Sequence, residues 1–336
     1  MNISISEQEL KDRLITDGCI ILKDVLSAHA VKTARNEVEE WIQRDLMFRR
    51  ATTEAFVACD GPAGQTHFDK GKHLLINFFG RSPTLDQLAN ALVSNKEIMN
   101  VVRSLLGKHC KLRGFNIRRM TGNPENSAMC WHRDNRGEFT FAIPLDTTQE
   151  YGDSATAYVP GSHFYPYCPM REARISMPLE KITSRLLPAN RRLSHMVETM
   201  AKGIGSQPGD AYLFLGDVWH ARQPNLSGRE NTVLFFALFP SEIKFPEPVS
   251  IPSDEVLSQL PQPLRTLVDF RLTPDNKDRT AFIYKMERIQ QTQGSSWLFV
   301  LARWECQISN VIAQLFKTLN ALFMKARDWY RLHLKG

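Results

Sequence analysis

No two of the six cysteines (Cys19, Cys59, Cys110, Cys130, Cys168, Cys306) stand in a C-x-x-C pair. Neither a zinc ribbon nor a redox dithiol is therefore written into the chain. No stretch of 18 or more residues is both apolar and charge-poor, which argues against a spanning helix. Met1-Asn2-Ile3-Ser4 opens the chain with neither a basic n-region nor an apolar h-region. Together these features lead to the expectation of a reducing, cytoplasmic setting. Internal repeats and low-complexity segments are also missing, which sets solenoids and propellers aside.

What is present describes a globular protein. The 336 residues are 43% hydrophobic and 23% charged, enough for a sizeable core and somewhat long for one domain. Two units are expected, 1–290 and a C-terminal appendage at 296–336. The net charge of +6 is uneven: residues 296–336 carry six Lys/Arg against two Asp/Glu, and residues 164–202 carry seven against three. Two basic segments suggest an anionic contact or a solvated basic face. Nucleic acid is not expected as a partner.

Along the chain, Ser6-Glu7-Gln8-Glu9 fits a capping box opening a helix that stops at Asp17-Gly18, and Cys19–Leu22 reads as a buried strand. Ser27 opens a second helix, with Val31, Ala34, Val38 and Ile42 at helical spacing as far as Trp41-Ile42. Residues 43–82 read as irregular around the turn cluster at 60–64, and two short helices follow between Pro83 and Gly107, the second capped by Ser94. From there the period changes to two. Strands are expected near 110–120, 128–134, 138–145, 154–159, 211–216, 218–223 and 231–239. Many short antiparallel strands with flanking helices fit a mainly β, α+β protein built on a cupin-like jelly roll.

One stretch organises the chemistry. In Trp131-His132-Arg133-Asp134, histidine and aspartate two apart point to one face of extended backbone. Downstream, Pro208-Gly209-Asp210 launches an apolar run that ends on Trp219-His220. Two imidazoles and a carboxylate form the facial set of non-haem Fe(II) oxygenases, although Zn or Mn accepts the same donors. A second H-x-D, His67-Phe68-Asp69, falls in the irregular region and is not expected to bind metal. His163 reads as the end of a tight turn, Asp210 and Asp217 as turn residues, and Phe139, Phe141, Trp131 and Trp219 as apolar walls of the site.

The order Asp17-Gly18, His132-x-Asp134, Val159-Pro160-Gly161-Ser162-His163, Gly209-Asp210, His220, Pro224-Asn225, Ser227 resembles the phytanoyl-CoA dioxygenase family of Fe(II)- and 2-oxoglutarate-dependent oxygenases, over roughly residues 10–240. The resemblance implies a double-stranded β-helix with His132, Asp134 and His220 on Fe(II), 2-oxoglutarate and O₂ as cosubstrates, and hydroxylation with release of succinate and CO₂. The family's arginine for the distal carboxylate of 2-oxoglutarate usually lies eleven residues beyond the distal histidine, where this chain has Asn231. Arg229 and Arg222 are the candidates for that role, since arginine grips a carboxylate with two hydrogen bonds. The alternative function is a non-catalytic or non-oxygenase metal-binding jelly roll.

The basic segment with Arg171, Arg174, Lys181, Arg185, Arg191 and Arg192 favours an anionic substrate, either a small molecule or lipid-linked. In 296–336 the residues Leu301, Trp304, Ile308, Val311, Leu315, Leu319, Leu322, Ala326 and Trp329 recur at steps of three and four, the face of an amphipathic helix of about 35 residues, roughly 50 Å long. With lysines, arginines and interfacial aromatics around it, this segment is expected to lie peripherally on the cytoplasmic membrane face, or else to form a homodimer seam.

Overall fold

The computed structural model describes residues 6–52, 59–61, 64–69, 72–107, 109–121, 131–134, 137–164, 199–240 and 252–269. The basic segment within 164–202 lies almost wholly outside these residues, as do the expected strand up to residue 130 and the whole appendage at 296–336. By their contacts the residues group into two compact units, Met1–His163 with Ala201–Glu287, and Phe164–Met200 with Arg288–Gly336. Every strand among the described residues belongs to the first unit.

Helix α1 (Glu7–Asp17) begins where the Ser6 hydroxyl accepts from the Glu9 amide and ends on Gly18 at φ 77. Strand β1 (Cys19–Leu22) follows at once. Helix α2 (Ala28–Thr52) runs ten residues past the end read from its apolar positions, Val31, Ala34, Val38 and Ile42 being buried as expected. The region read as irregular then holds three strands, β2 (Cys59–Gly61), β3 (Gly64–Asp69) and β4 (Lys72–Leu75). Helix α3 (Pro83–Val93) is capped by Ser82; α4 (Lys96–Leu106) is capped by Asn95 rather than Ser94.

The period-two region forms β5 (Cys110–Met120), β6 (Phe139–Pro144), β7 (Thr156–Tyr158), β8 (Lys202–Gly203), β9 (Ala211–Leu215), β10 (His220–Arg222) and β11 (Asn231–Pro240), before short helices α5 (Asp254–Gln259) and α6 (Gln262–Val268). Residues 131–134 contribute only a single bridge at His132 instead of a strand.

Two antiparallel sheets result, the larger ordered β1-β9-β6-β11-β5-β4-β3-β2 and the smaller β10-β7-β8. This is a jelly roll with one sheet extended by the β2–β4 strands. One face of the large sheet carries Phe115, Ile117, Phe141, Ile143, Leu213, Leu234 and Phe236, all at most 1% exposed. The helices pack on this side, where Arg119 of β5 pairs with Glu39 of α2. Asp45 of α2 likewise accepts from the Thr66 hydroxyl at 2.9 Å and pairs with His73 at 2.7 Å, all three buried. The opposite face looks toward the small sheet, to which it is joined by the Tyr212 and Thr156 hydroxyls at 2.9 Å. No helix among the described residues is long and apolar enough to cross a membrane.

Candidate metal centre

Backbone pairing builds the site before any side chain is considered. The His132 amide donates to the His220 carbonyl and the His220 amide to the His132 carbonyl, each at 2.9 Å, and the Asp134 amide donates to Gly216 at 2.9 Å. Two segments remote in sequence are thus fixed as antiparallel neighbours. Alternation then turns His132, Asp134 and His220 to one side. One donor atom from each of the three lies within 4.8 Å of the others.

His220 Nε2 stands 3.3 Å from Asp134 Oδ2, and His132 Nε2 stands 3.7 Å from Asp134 Oδ1. The imidazole centroids are 4.3 Å apart. His220 Nδ1 lies 3.0 Å from the Val218 carbonyl, which can only accept, so Nδ1 carries the hydrogen and Nε2 is left as a lone pair aimed at the site. Burial works to raise the Asp134 carboxyl, but the hydrogen bond and charge of His220 and the charge of His132 outweigh it and hold it below its ordinary value. For His220, burial is overcome in turn by Asp134, and the imidazole sits above its usual value. Both shifts come from opposite charge held close together, and a divalent cation that takes one donor atom from each residue suits the same cluster. Side-chain exposures of 24% for His132 and 30% for Asp134, against 8% for His220, show which side is open.

Phe214 packs its ring 4.7 Å from that of His220, which identifies the metal-facing side of the large sheet as the side of Phe214 and its register partner Thr140. By parity Phe139 and Phe141 point the other way, into the core with the helices, where Phe141 stacks on Phe236 at 5.0 Å. Trp219 turns behind His220, under the Arg133 guanidinium. The walls read from the sequence at Phe139, Phe141 and Trp219 are thus core and backing.

Deeper between the sheets stand two arginines. Arg222 follows His220 by two residues on β10, on the same face and about 7 Å along. Arg118 of β5 is opposite Val233 in register and lies over the Phe235 ring at 5.6 Å, with a buried Nε that has no hydrogen-bond partner. Burial pulls the Arg118 guanidinium below its ordinary value, the phenol of Tyr212 working against it. Burial, and then the neighbouring charge of Arg118, bring Arg222 down to about 10. Two guanidiniums, both lowered by burial and Arg222 also by the charge of Arg118, next to the Thr156 and Tyr212 hydroxyls make a place for an anionic oxygen pair.

Arg229 is elsewhere. Its side chain is 52% exposed and donates to the buried Asp153 carboxylate at 2.6 Å. Asn231 is buried, its amide donating to the carbonyls of Asp153 and Ser154 at 3.0 and 3.3 Å. Arg118 is not among the candidates drawn from the sequence; the signal the sequence holds for it is an arginine set within the alternating apolar run at 110–120. The second H-x-D proves to lie on a strand ladder: His67 is opposite Leu74, itself opposite Arg118, about 10 Å from Arg118 across two strands. It does not join the donor cluster found among the described residues.

His163 keeps the structural role expected of it. Its Nε2 meets the Ile15 carbonyl at 2.7 Å, and burial first, then Arg133, lowers it to about 4. Asp210 accepts from Lys23 and from the amides of Asp24 and Gln207, and Asp217 from the Gly137 amide, as turn residues do.

A sequence model of the phytanoyl-CoA dioxygenase family matches residues 15–232. No curated protein matches the sequence. Among solved structures the chain is similar to EctD from S. alaskensis with bound Fe, at 15% identity over 75% of this chain and 83% of that one, TM-score 0.49. It is also similar to HygX from Streptomyces hygroscopicus with nickel, 2-oxoglutarate and hygromycin B bound, at 15% identity over 70% and 88%, TM-score 0.46. A third similar structure is AviO1 from Streptomyces viridochromogenes Tue57, at 14% identity over 75% and 100%, TM-score 0.47.

Proposed function

The chain belongs to the phytanoyl-CoA dioxygenase family of Fe(II)- and 2-oxoglutarate-dependent oxygenases, and from that premise we propose that it hydroxylates an anionic small molecule or lipid-linked substrate at the centre formed by His132, Asp134 and His220. The observation that carries the reading is the clustering of these three donors within 4.8 Å at the open end of the barrel, with Arg222 two strand residues further in.

The residues fit both groups that the family uses. Two neutral imidazoles and one carboxylate leave positions free on the open side for a chelating keto acid and for dioxygen. Arg222 and Arg118 would hold the far carboxylate of a five-carbon diacid bound there. We assign the distal carboxylate to this pair rather than to Arg229, which Asp153 already holds at the protein surface. When bound, iron and 2-oxoglutarate supply an oxidant for C–H hydroxylation through oxidative decarboxylation of the keto acid.

The chain's own residues do the rest. Val218 holds His220 in the tautomer that presents Nε2, and Asp134 keeps a carboxylate among the donors, so no coordination position is released to a halide. Phe214 and Thr140 form the floor beside His220. The basic composition of 164–202 supports an anionic substrate. The amphipathic pattern of 296–336 supports attachment to an anionic membrane surface, each Lys or Arg near it contributing about 1 kcal/mol.

Anaerobic addition of Fe(II) and then 2-oxoglutarate should give a visible metal-to-ligand charge-transfer band, and succinate release screened across metabolite and lipid extracts should identify the substrate. A wild-type protein without the band would instead be a binding protein or a metalloenzyme of another kind. Truncation at residue 295 should free the protein from anionic liposomes while leaving iron binding intact; a dimer turning monomer with unchanged partitioning would favour the seam.

A further inference from the structure

Arg133 stands between two metal donors and faces away from both. Its Nη2 donates to the Ser162 carbonyl at 2.6 Å, and its guanidinium lies 5.4 Å above the Trp219 ring. Trp219 is the neighbour of the third donor, and its own amide donates to the Ser162 hydroxyl at 2.8 Å. Ser162, fully buried, therefore holds both ligand-bearing segments from behind, one through its carbonyl and one through its side chain. The turn carrying it is fixed in its own right. Gly161 donates to the Asp17 carbonyl at 3.2 Å, the Ser162 amide to Val159 at 3.2 Å, and His163 meets Ile15 at 2.7 Å.

Resting on the metal reading above, we propose that Arg133, Ser162 and Trp219 form a positioning clasp that sets the separation of the His132–Asp134 pair from His220, and through it the affinity and ligand field of the bound metal. The His132–His220 bridge and the Asp134–Gly216 bond set the register of the two segments through the backbone. On the far side of the ladder the Arg133–Trp219 stack and the two bonds to Ser162 tie the same two segments together from behind. A planar guanidinium suits the place because it stacks and donates at once, which an ammonium does not. None of the three is a catalytic residue, since each acts through the ligands.

The test uses the full-length metal-free protein with Co(II) as probe, comparing wild type with Arg133→Leu, Arg133→Lys, Ser162→Ala and Trp219→Phe. Far-UV circular dichroism and Tm report the fold; Co(II) titration and its visible ligand-field bands report the centre. Partners behind metal ligands typically change affinity by about 10- to 100-fold. Arg133→Leu and Ser162→Ala should raise the Co(II) dissociation constant by about that factor and shift the bands while the apoprotein stays folded, with Arg133→Lys between them and wild type. Should either fail to fold, Trp219→Phe and Arg133→Lys, which preserve the packing, carry the comparison. Wild-type affinity and spectrum in the folded variants would overturn the clasp, as would affinity losses that only track loss of fold. A wild type that binds no Co(II) would overturn the metal reading itself.

Discussion

Asp134 and His220 meet at 3.3 Å through side chains, while the backbones that carry them are joined on either side by Asp134 to Gly216 and by His132 to His220. The pair is thus positioned by a ladder rather than by flexible loops, and iron would enter a site whose donors are already gathered. Replacing His132, Asp134 or His220 by Ala should abolish Fe(II) binding, whereas His67→Ala with Asp69→Ala should leave it within about twofold of wild type, because His67 stands two strands beyond Arg118. Isothermal titration with Fe(II) under nitrogen separates the two sets. Iron lost from the His67 variant and kept by the others would reverse the assignment.

Gly18 offers a sharper structural test. It takes φ 77 at the end of α1, and a Cβ there would lie 2.1 Å from Val218 Cγ2 and 2.7 Å from His163 Nδ1. Left-handed backbone alone costs a residue with a side chain about 1–2 kcal/mol, and the contact adds to it. Gly18→Ala should therefore lower stability by more than 2 kcal/mol on that scale, read from the urea midpoint. Since Val218 also orients His220, iron affinity should fall with it.

Much of this was legible in the sequence. Ser6 and Gly18 bound α1, the strands of the barrel fall close to their expected places except at 128–134, where only a bridge at His132 forms, and the spacing His132-x-Asp134 predicts a shared face. Residues 43–82 were not legible, for a physical reason. The core-facing positions of β3 and β4 include Thr66 and His73, which are buried and bonded to Asp45 of α2. The alternation of hydrophobic and polar residues that marks a strand is therefore broken. Asp45 likewise conceals that α2 continues, since a carboxylate on its buried face reads as an end. The walls were misjudged because Phe139 and Phe141 alternate out of phase with the residue that touches His220, Phe214, and no pattern within β6 alone reveals which phase faces the metal.

Asp86 gives a prediction on pH. Burial first, and Glu37 in support, raise its carboxyl to about 7 against the opposing Gly80 amide. The folded chain then keeps a proton that the unfolded chain releases near its ordinary value of 3.8, so this group's stabilisation is complete below that value and is lost as pH rises toward 7. His163, lowered to about 4 by burial and then Arg133, acts oppositely, costing stability as pH falls below its ordinary 6.5. The two partly cancel in the wild type. Asp86→Asn should unmask the second, so that Tm rises more steeply between pH 4 and 7 than in the wild type; identical slopes would show that Asp86 is ionised throughout.

The arginines are distinguished by what already surrounds them. Arg229 spends its guanidinium on Asp153, half in solvent, whereas Arg118 keeps a buried Nε without a partner and lies beside Arg222. A carboxylate arriving between the latter two would relieve their mutual repulsion as well as form charge-assisted hydrogen bonds, each worth about 1.5–3 kcal/mol. Arg118→Leu and Arg222→Leu should each raise the 2-oxoglutarate concentration needed for half of the anaerobic charge-transfer band by about ten- to a hundredfold, with Fe(II) affinity unchanged. Arg229→Ala should leave that concentration within about twofold and lower only Tm, because it strips Asp153 of its partner. Removing the Arg118 guanidinium should also return Arg222 toward its ordinary basicity, so the Arg118→Leu protein should hold 2-oxoglutarate to higher pH than wild type, relative to its own maximum. Loss of binding in Arg229→Ala, with Arg118→Leu and Arg222→Leu unaffected, would return the distal carboxylate to Arg229 and show that the cosubstrate displaces Asp153 from it.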